Sequence, residues 1–185
     1  MTIYLFRHAE STDNRQHIFC GWRNPDLSDK GIIDAQELAE LLKDKEFSTV
    51  YTPSLTRNVK TVEEVIKYHP SVKIITDDRL KERCYGDLQG QKHLDLMRSS
   101  LAKYLEYHRS YDVPPPGGES IADVEQRVLP LYNEIIDRVK HENIDVAICA
   151  GNNAMRVFRR VLENLTIKEM MKLENPYDNY FEYYV

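Results

Sequence analysis

At 185 residues, with 42% apolar and 30% charged residues, the chain is long enough to bury one core and too apolar to stay disordered, so it reads as a single domain over residues 1–185. A net charge of −5 speaks against non-specific nucleic-acid binding, yet it permits an anionic small molecule gripped by local arginines. No apolar run approaches the roughly 20 residues that cross a bilayer, the amino-terminal stretch is not a signal peptide, and Cys20, Cys84 and Cys149 are too scattered for a disulfide framework or a zinc site; no membrane partner and a cytoplasmic setting are expected.

Ile3–Phe6 is a short apolar run and reads as a buried strand, followed by a polar loop from Arg7 to about Asp29. Ala35, Leu38, Ala39 and Leu42 recur at the spacing of one helical face. Phe47–Tyr51 reads as a second strand. Leu55, Val59, Val62 and Ile66 mark a second amphipathic helix that stops before Pro70. Val72–Thr76 is a third strand, and after a long loop through Gly90 the stretch Leu94–Tyr107 reads as one helix. Ser120 with Asp123 forms a capping-box pattern opening a long helix, whose face carries Ile121, Val124, Val128, Leu131, Ile135 and Val139; Pro130 within it is expected to kink the axis. Asp145–Ala150 reads as a strand, Asn152–Leu165 as a helix, and Tyr180–Val185 as an edge strand. Alternating strands and helices predict an α/β three-layer sandwich, with helices covering a mainly parallel sheet. Sites on such sheets gather at the carboxyl ends of strands, and both His8 and Gly151 fall just past one.

Arg7 and His8 are the first residues with chemistry to offer. A histidine placed directly after a buried strand is held firmly and is nucleophilic when neutral, and the neighbouring guanidinium is a planar fork for phosphate oxygens. Arg57 falls on the first turn of the helix after the second strand, where free N–H groups attract anions. Glu82 lies in a polar loop where a carboxylate can act as a general acid. No His/Asp cluster has metal-ligand spacing, and the arginines can do the work of a cation, so no metal is expected.

Six segments in order then resemble the histidine phosphatase superfamily, and within it the cofactor-dependent phosphoglycerate mutases. RHAES, from Arg7, is similar to the signature RHGES with Ala9 in place of glycine. FCGWRNPDLSDKG resembles the mutase FTGW-x-D-x-x-LS-x-x-G, and YTPSLTRNVKT the S-x-L-x-R-A-x-x-T element. ERCYGDLQG is close to E-R-x-Y-G-x-L-x-G, HRSYDVPPP to R-R-S-[YF]-D-x-PPP, and ESIADVEQRVLP to ESL-x-D-x-x-x-R-x-LP. The likeness runs from Ile3 to about Glu174.

The resemblance implies a 2,3-bisphosphoglycerate-dependent mutase of glycolysis and gluconeogenesis that interconverts 2- and 3-phosphoglycerate. His8 would become phosphohistidine, with bisphosphoglycerate as the phosphate donor and a phosphorylated small molecule as the substrate. Arg7 and Arg57 would neutralise the equatorial oxygens, Glu82 would protonate the leaving oxygen, and Asn14 would add a phosphate hydrogen bond. Cys20, Gly21, Tyr85, His108, Arg109 and Asn153 would hold the rest of the substrate. Relatives carry arginine where His108 stands and lysine where His93 stands, which implies a weaker or pH-dependent grip on carboxylate. The segments that normally cover the site mouth are missing or short, which favours leakage to water. A phosphatase acting on phosphate monoesters, or a weakly active homologue that only binds phosphorylated metabolites, is the alternative. A homo-oligomer is possible, with the Tyr-rich end as interface or core.

ICAGNNAMR departs from the family at one position. With Arg156 fixing the register, Gly151 takes the place of the second catalytic histidine, which in the family hydrogen-bonds the transferring phosphoryl group. Loss of one such donor is expected to slow the reaction by about 10²–10³ without abolishing the site. The glycine N–H is expected to face the anion still, His17, His93 or His108 is a possible substitute imidazole, and histidine returned to position 151 is expected to support turnover.

Overall fold

In the computed structural model, which describes residues 1–185, the first apolar run lies inside strand β1 (Thr2–Arg7). Tyr4 and Phe6 pack with Leu38, Leu42, Val62 and Val65 on one face of the sheet. Ile3 and Leu5 pack with Val124, Val128, Ala154 and Phe158 on the other. A strand covered on both faces needs a continuous apolar run, which is what Ile3–Phe6 supplies. Strands β2 (Thr49–Thr52), β3 (Lys73–Thr76), β4 (Val146–Ala150) and β5 (Tyr180–Tyr184) complete one sheet in the order β3-β2-β4-β1-β5. The first four are mutually parallel, and β5 runs antiparallel along β1 at the edge. The expected three-layer α/β sandwich is the observed fold.

One layer comprises α2 (Asp29–Leu42) and α3 (Thr56–Val65), the other α6 (Ile121–Glu142) and α7 (Asn152–Leu162). The capping box at Ser120 and Asp123 is present, and Ile121, Val124, Val128, Leu131, Ile135 and Val139 are all buried. Pro130 stands inside one unbroken helix. No helix is long and apolar enough to cross a membrane.

Four details differ from the sequence reading. The loop after β1 contains a short helix, α1 (Thr12–Arg15), capped by Ser11. The stretch expected as one helix over Leu94–Tyr107 is two, α4 (His93–Ser99) and α5 (Leu101–Arg109), broken where Ser100 is extended and caps the second. Helix α7 ends at Leu162, short of the expected Leu165, and a final short helix, α8 (Ile167–Met170), follows. The buried face of α3 is Arg57, Asn58, Thr61, Val62 and Val65; of the expected Leu55, Val59, Val62 and Ile66, Leu55 and Val62 are buried and Val59 and Ile66 are half-buried at its margin. This helix turns polar residues inward because they serve the site, so hydrophobic spacing alone misses part of its face.

Strands β1 and β4 are adjacent and in register at Arg7 and Ala150. The residues that follow, His8 and Gly151, therefore emerge side by side at the carboxyl edge of the sheet. Helices α4 and α5 close one side of that edge through a small cluster of Phe19, Leu88, Leu96 and Tyr104.

Candidate active site

His8 is 1% exposed and fixed by two hydrogen bonds. Its Nε2 accepts from Nε–H of Arg57 at 3.0 Å, and its Nδ1 lies 2.8 Å from the Ala9 carbonyl oxygen. This places the ring proton on Nδ1 and a lone pair on Nε2. Burial, then Arg57 and Arg7, hold the imidazole well below its ordinary pKa, so it is neutral near pH 7. The Ala9 N–H donates to Thr61 Oγ1 (2.9 Å), whose hydroxyl donates to the Arg57 carbonyl (2.7 Å), tying the histidine loop to α3.

Arg57 is 0% exposed, yet no carboxylate pairs with it. Its other nitrogens donate to the carbonyls of Gly21 (2.8 Å) and Arg23 (3.0 Å). The Gly21 carbonyl is aimed by a left-handed turn (φ +53°), where a Cβ would crowd the Gln89 side chain and the Tyr85 backbone nitrogen; glycine suits that position best. Arg7 donates from Nη1 to the Asn175 carbonyl (3.3 Å), and its buried Nε has no partner. Two guanidinium groups with no direct ion pair, beside one neutral imidazole and a single carboxylate, Glu82, form a site short of negative charge, because buried cations are ordinarily paired.

Glu82 supplies the one carboxylate. Its Oε1 accepts from Asn153 Nδ2 (2.6 Å), Asn153 N–H (3.3 Å) and Arg83 N–H (2.7 Å). Burial alone would raise its pKa, but Arg7, those hydrogen bonds and Arg57 outweigh it, and the net shift is downward. Glu82 is therefore ionised at rest. Its backbone is clamped as well: Arg127 Nη2 donates to the carbonyls of Lys81 (3.0 Å) and Glu82 (3.1 Å), and Trp22 Nε1 donates to that of Glu82 (2.8 Å).

A cavity of about 480 Å³ opens at this place, lined among others by Arg7, Asn14, Cys20, Gly21, Glu82, Tyr85, His108 and Arg109. A larger hollow of about 930 Å³, at the amino ends of the strands between Thr2, Ser48, Val72 and Asp145, holds none of the candidate residues. Of the residues expected at the site, His8, Arg57 and Asn153 are buried behind the wall rather than in it. Asn153 is turned to Glu82, so it holds the carboxylate instead of facing the cavity. Asn14 accepts from Ser11 N–H (3.2 Å) and Ser11 Oγ–H (2.8 Å) through Oδ1, which leaves its NH₂ free. Burial pushes the Cys20 thiol up to about 11 and the Tyr85 hydroxyl to about 12, so both stay protonated.

The far wall is aromatic. His93 packs on Phe19 with ring centroids 3.9 Å apart and on His108 at 4.7 Å; Tyr85 lies 5.1 Å from Phe19. Burial, helped by neighbouring cations, holds His93 down to about 4 and His108 to about 3. Both are neutral, and neither contacts His8. With folded pKa values below the ordinary 6.5, the folded state binds fewer protons than the unfolded chain. Their contribution to stability is complete above 6.5 and is lost as pH falls through that value towards 4. Thermal melts therefore show Tm declining between about pH 7.5 and 5, where carboxylates remain ionised; a flat Tm across that window contradicts this.

Gly151 differs most from expectation. Its N–H donates to the Leu80 carbonyl (3.0 Å) and is not available to an anion. A Cβ there would lie 2.4 Å from Glu82 N and 2.5 Å from Glu82 Cα. The place of a side chain is filled by the Glu82 backbone, so the site is rebuilt rather than simply missing an imidazole. No substitute histidine replaces it: His17 is exposed on the cavity rim, and His93 and His108 belong to the aromatic wall.

The family model for the histidine phosphatase superfamily (branch 1) matches residues 3–181. The chain belongs to the histidine phosphatase superfamily. It is 38% identical over 178 residues to the 2,3-bisphosphoglycerate-dependent phosphoglycerate mutase of Methylobacterium sp., covering 93% of this chain and 85% of that one. It is 36% identical over 177 residues to the phosphoglycerate mutase of Schizosaccharomyces pombe, covering 93% and 84%. Among solved structures, Bacillus stearothermophilus YhfR superposes with a TM-score of 0.87 at 26% identity, covering 98% of this chain and 89% of that chain. The α-ribazole phosphatase of Shigella flexneri superposes at 0.83 and 23% identity, covering 98% and 89%, a likeness of fold alone.

The candidate site of this histidine phosphatase superfamily member also includes residues that no motif or spacing singles out. Ile18, Asn152, Glu174 and Tyr177 also line the cavity. The Arg7 guanidinium carbon sits 4.1 Å from the centre of the Tyr177 ring, and the ring centres of His8 and Tyr177 are 6.2 Å apart. Residues 171–179 connect α8 to the edge strand, and no periodicity or motif links them to the histidine. Only the return of β5 alongside β1 brings them there.

Proposed function

We propose that the protein transfers phosphoryl groups through a phosphohistidine at His8, as a 2,3-bisphosphoglycerate-dependent phosphoglycerate mutase interconverting 2- and 3-phosphoglycerate. The observation that carries this reading is the bond from Arg57, buried and in no direct ion pair, to Nε2 of a neutral His8. The lone pair on Nε2 attacks phosphorus as the ester P–O bond breaks. Nε–H of Arg57, released from Nε2, moves to a phosphoryl oxygen, and Arg7 and the Asn14 amide take the others; such preorganised charge supplies most of the acceleration in phosphoryl transfer. Glu82, ionised at rest, takes a proton as the anionic ester enters, since added negative charge raises its pKa. It gives that proton to the leaving alkoxide and later removes one from the hydroxyl that receives the phosphoryl group. Bisphosphoglycerate would load His8 at the outset, and no step needs a metal.

The names of the relatives support the glycerate substrate, as do the mutase-type segments. Tyr85 and Arg109 would receive its carboxylate, beside Cys20 and Gly21. His108 lines the same wall but is neutral. Arginine there presents a charged fork in its place, so His108→Arg lowers KM for 3-phosphoglycerate about three- to tenfold with kcat little changed; steady-state kinetics showing an unchanged or higher KM contradicts this.

A second reading, hydrolysis of phosphate monoesters, is favoured by that same aromatic wall, where neutral His93 and His108 leave Arg109 as the one cation to grip a carboxylate. The deciding experiment primes the protein with bisphosphoglycerate and follows both products. Interconversion of 2- and 3-phosphoglycerate supports the mutase. Inorganic phosphate released from several esters, without isomerisation, selects the phosphatase.

A further inference from the structure

The segment from Leu173 to Tyr177 is strapped across the cavity by three arginines. Arg156 donates to the Leu173 carbonyl from Nη2 (2.7 Å) and Nε (3.0 Å). Arg159 Nη1 donates to the Glu174 carbonyl and to Asn175 Oδ1, each at 2.9 Å. Arg7 holds the Asn175 carbonyl, and Asn175 Nδ2 donates to Asn152 Oδ1 (3.0 Å). A connection this heavily bonded does not swing; it presents its next aromatic side chain, Tyr177, in a fixed place. The ring lies on the Arg7 guanidinium and beside His8. The hydroxyl has no hydrogen bond within the protein, and the groups that act on it electrostatically are Arg7, Glu10, Glu82 and Cys20, three of which line the cavity.

On the Gly151 side no side chain stands where the family's histidine would, and Asn152, next along the chain, lines the cavity there. The backbone of Glu82 occupies the side-chain space at 151, and the one N–H there is bound to Leu80. We propose that Tyr177 is a catalytic residue whose hydroxyl donates a hydrogen bond to the transferring phosphoryl group, the role that position 151 cannot fill. The hydroxyl donates without losing its proton, so nothing else in the transfer changes. Burial raises its pKa above the ordinary tyrosine value, which keeps it a donor at neutral pH. The inference rests on the phosphohistidine reading above.

Tyr177→Phe removes the oxygen and leaves the ring on Arg7. In single-turnover mixing with bisphosphoglycerate, His8 phosphorylation is expected to slow about 10²-fold in this variant, with Tm unchanged. Vanadate, which mimics the phosphoryl group in flight, is expected to bind about tenfold more weakly by titration calorimetry. Phosphorylation within threefold of the unsubstituted protein, or equal vanadate affinity, overturns the proposal. If the unsubstituted protein itself takes up no phosphoryl group, the phosphohistidine reading fails, and the proposal with it.

Discussion

Alanine at His8 lowers turnover of any phosphate ester by about 10⁴-fold or more while leaving an anion site in place. The nucleophile is gone, and no other group can substitute: His93 and His108 are held in the aromatic wall, and the Cys20 thiol stays protonated to about 11. Arg57 keeps its bonds to the carbonyls of Gly21 and Arg23, so the guanidinium stays where it is. Its Nε–H loses an acceptor, which costs about 1–3 kcal/mol for a buried donor and is recovered when an oxyanion arrives. Titration of the variant with inorganic phosphate therefore gives an affinity equal to or tighter than that of the unsubstituted protein. Retained turnover, or loss of phosphate binding along with activity, contradicts the assignment of His8 as nucleophile and the arginines as the anion cage.

Histidine at position 151 is expected to lower stability and activity together, against the simplest reading of the motif. Restoring the imidazole of the family pattern would be a repair if the site were otherwise unchanged. Here even a Cβ would lie 2.4 Å from the backbone nitrogen of Glu82, and that backbone cannot rotate away as a side chain would. It is held by Arg127 through two carbonyls and by Trp22 through a third bond. Inserting the side chain forces the clamp to move, at a cost of about 1–3 kcal/mol for overpacking alone. At roughly 2–4 °C per kcal/mol for a chain of this size, Tm falls by about 2–12 °C. Glu82 is carried away from its bonds to Asn153, and turnover falls by about tenfold or more, since a displacement of about 1 Å is enough to spoil a near-attack geometry. Free imidazole added to the unsubstituted protein finds no slot and leaves the rate unchanged. A Gly151→His variant that gains turnover at unchanged Tm, or rescue by imidazole, contradicts this account.

The placement of the candidate residues was legible in the sequence where it follows directly from an element of regular structure. His8 and Gly151 end adjacent parallel strands, and Arg57 opens a helix, so α/β pattern and register suffice to bring them together. The capping box at Ser120 was readable for the same reason, since its two residues are three apart on one chain. Hydrophobic spacing placed Leu55 and Val62 correctly but missed much of the inner face of α3, because Arg57, Asn58 and Thr61 are polar residues buried for what they bond rather than for transfer free energy. The place of Tyr177 at the cavity was not legible because a loop residue is set there by the return of an edge strand and by three distant arginines. Nor could the sequence show that Gly151 is filled from outside. A missing side chain reads as a loss, whereas in the fold the backbone of Glu82 has taken its space.

The central claim is a covalent bond from His8 Nε2 to phosphorus, held by Arg57 and Arg7. Mass spectrometry of peptides after brief incubation with bisphosphoglycerate, kept at alkaline pH, tests it most directly. The account predicts one added phosphoryl group on the peptide carrying His8, absent from the His8→Ala variant. An unmodified His8 peptide from protein that nonetheless turns over phosphate esters, or a phosphoryl group found on another residue, contradicts it.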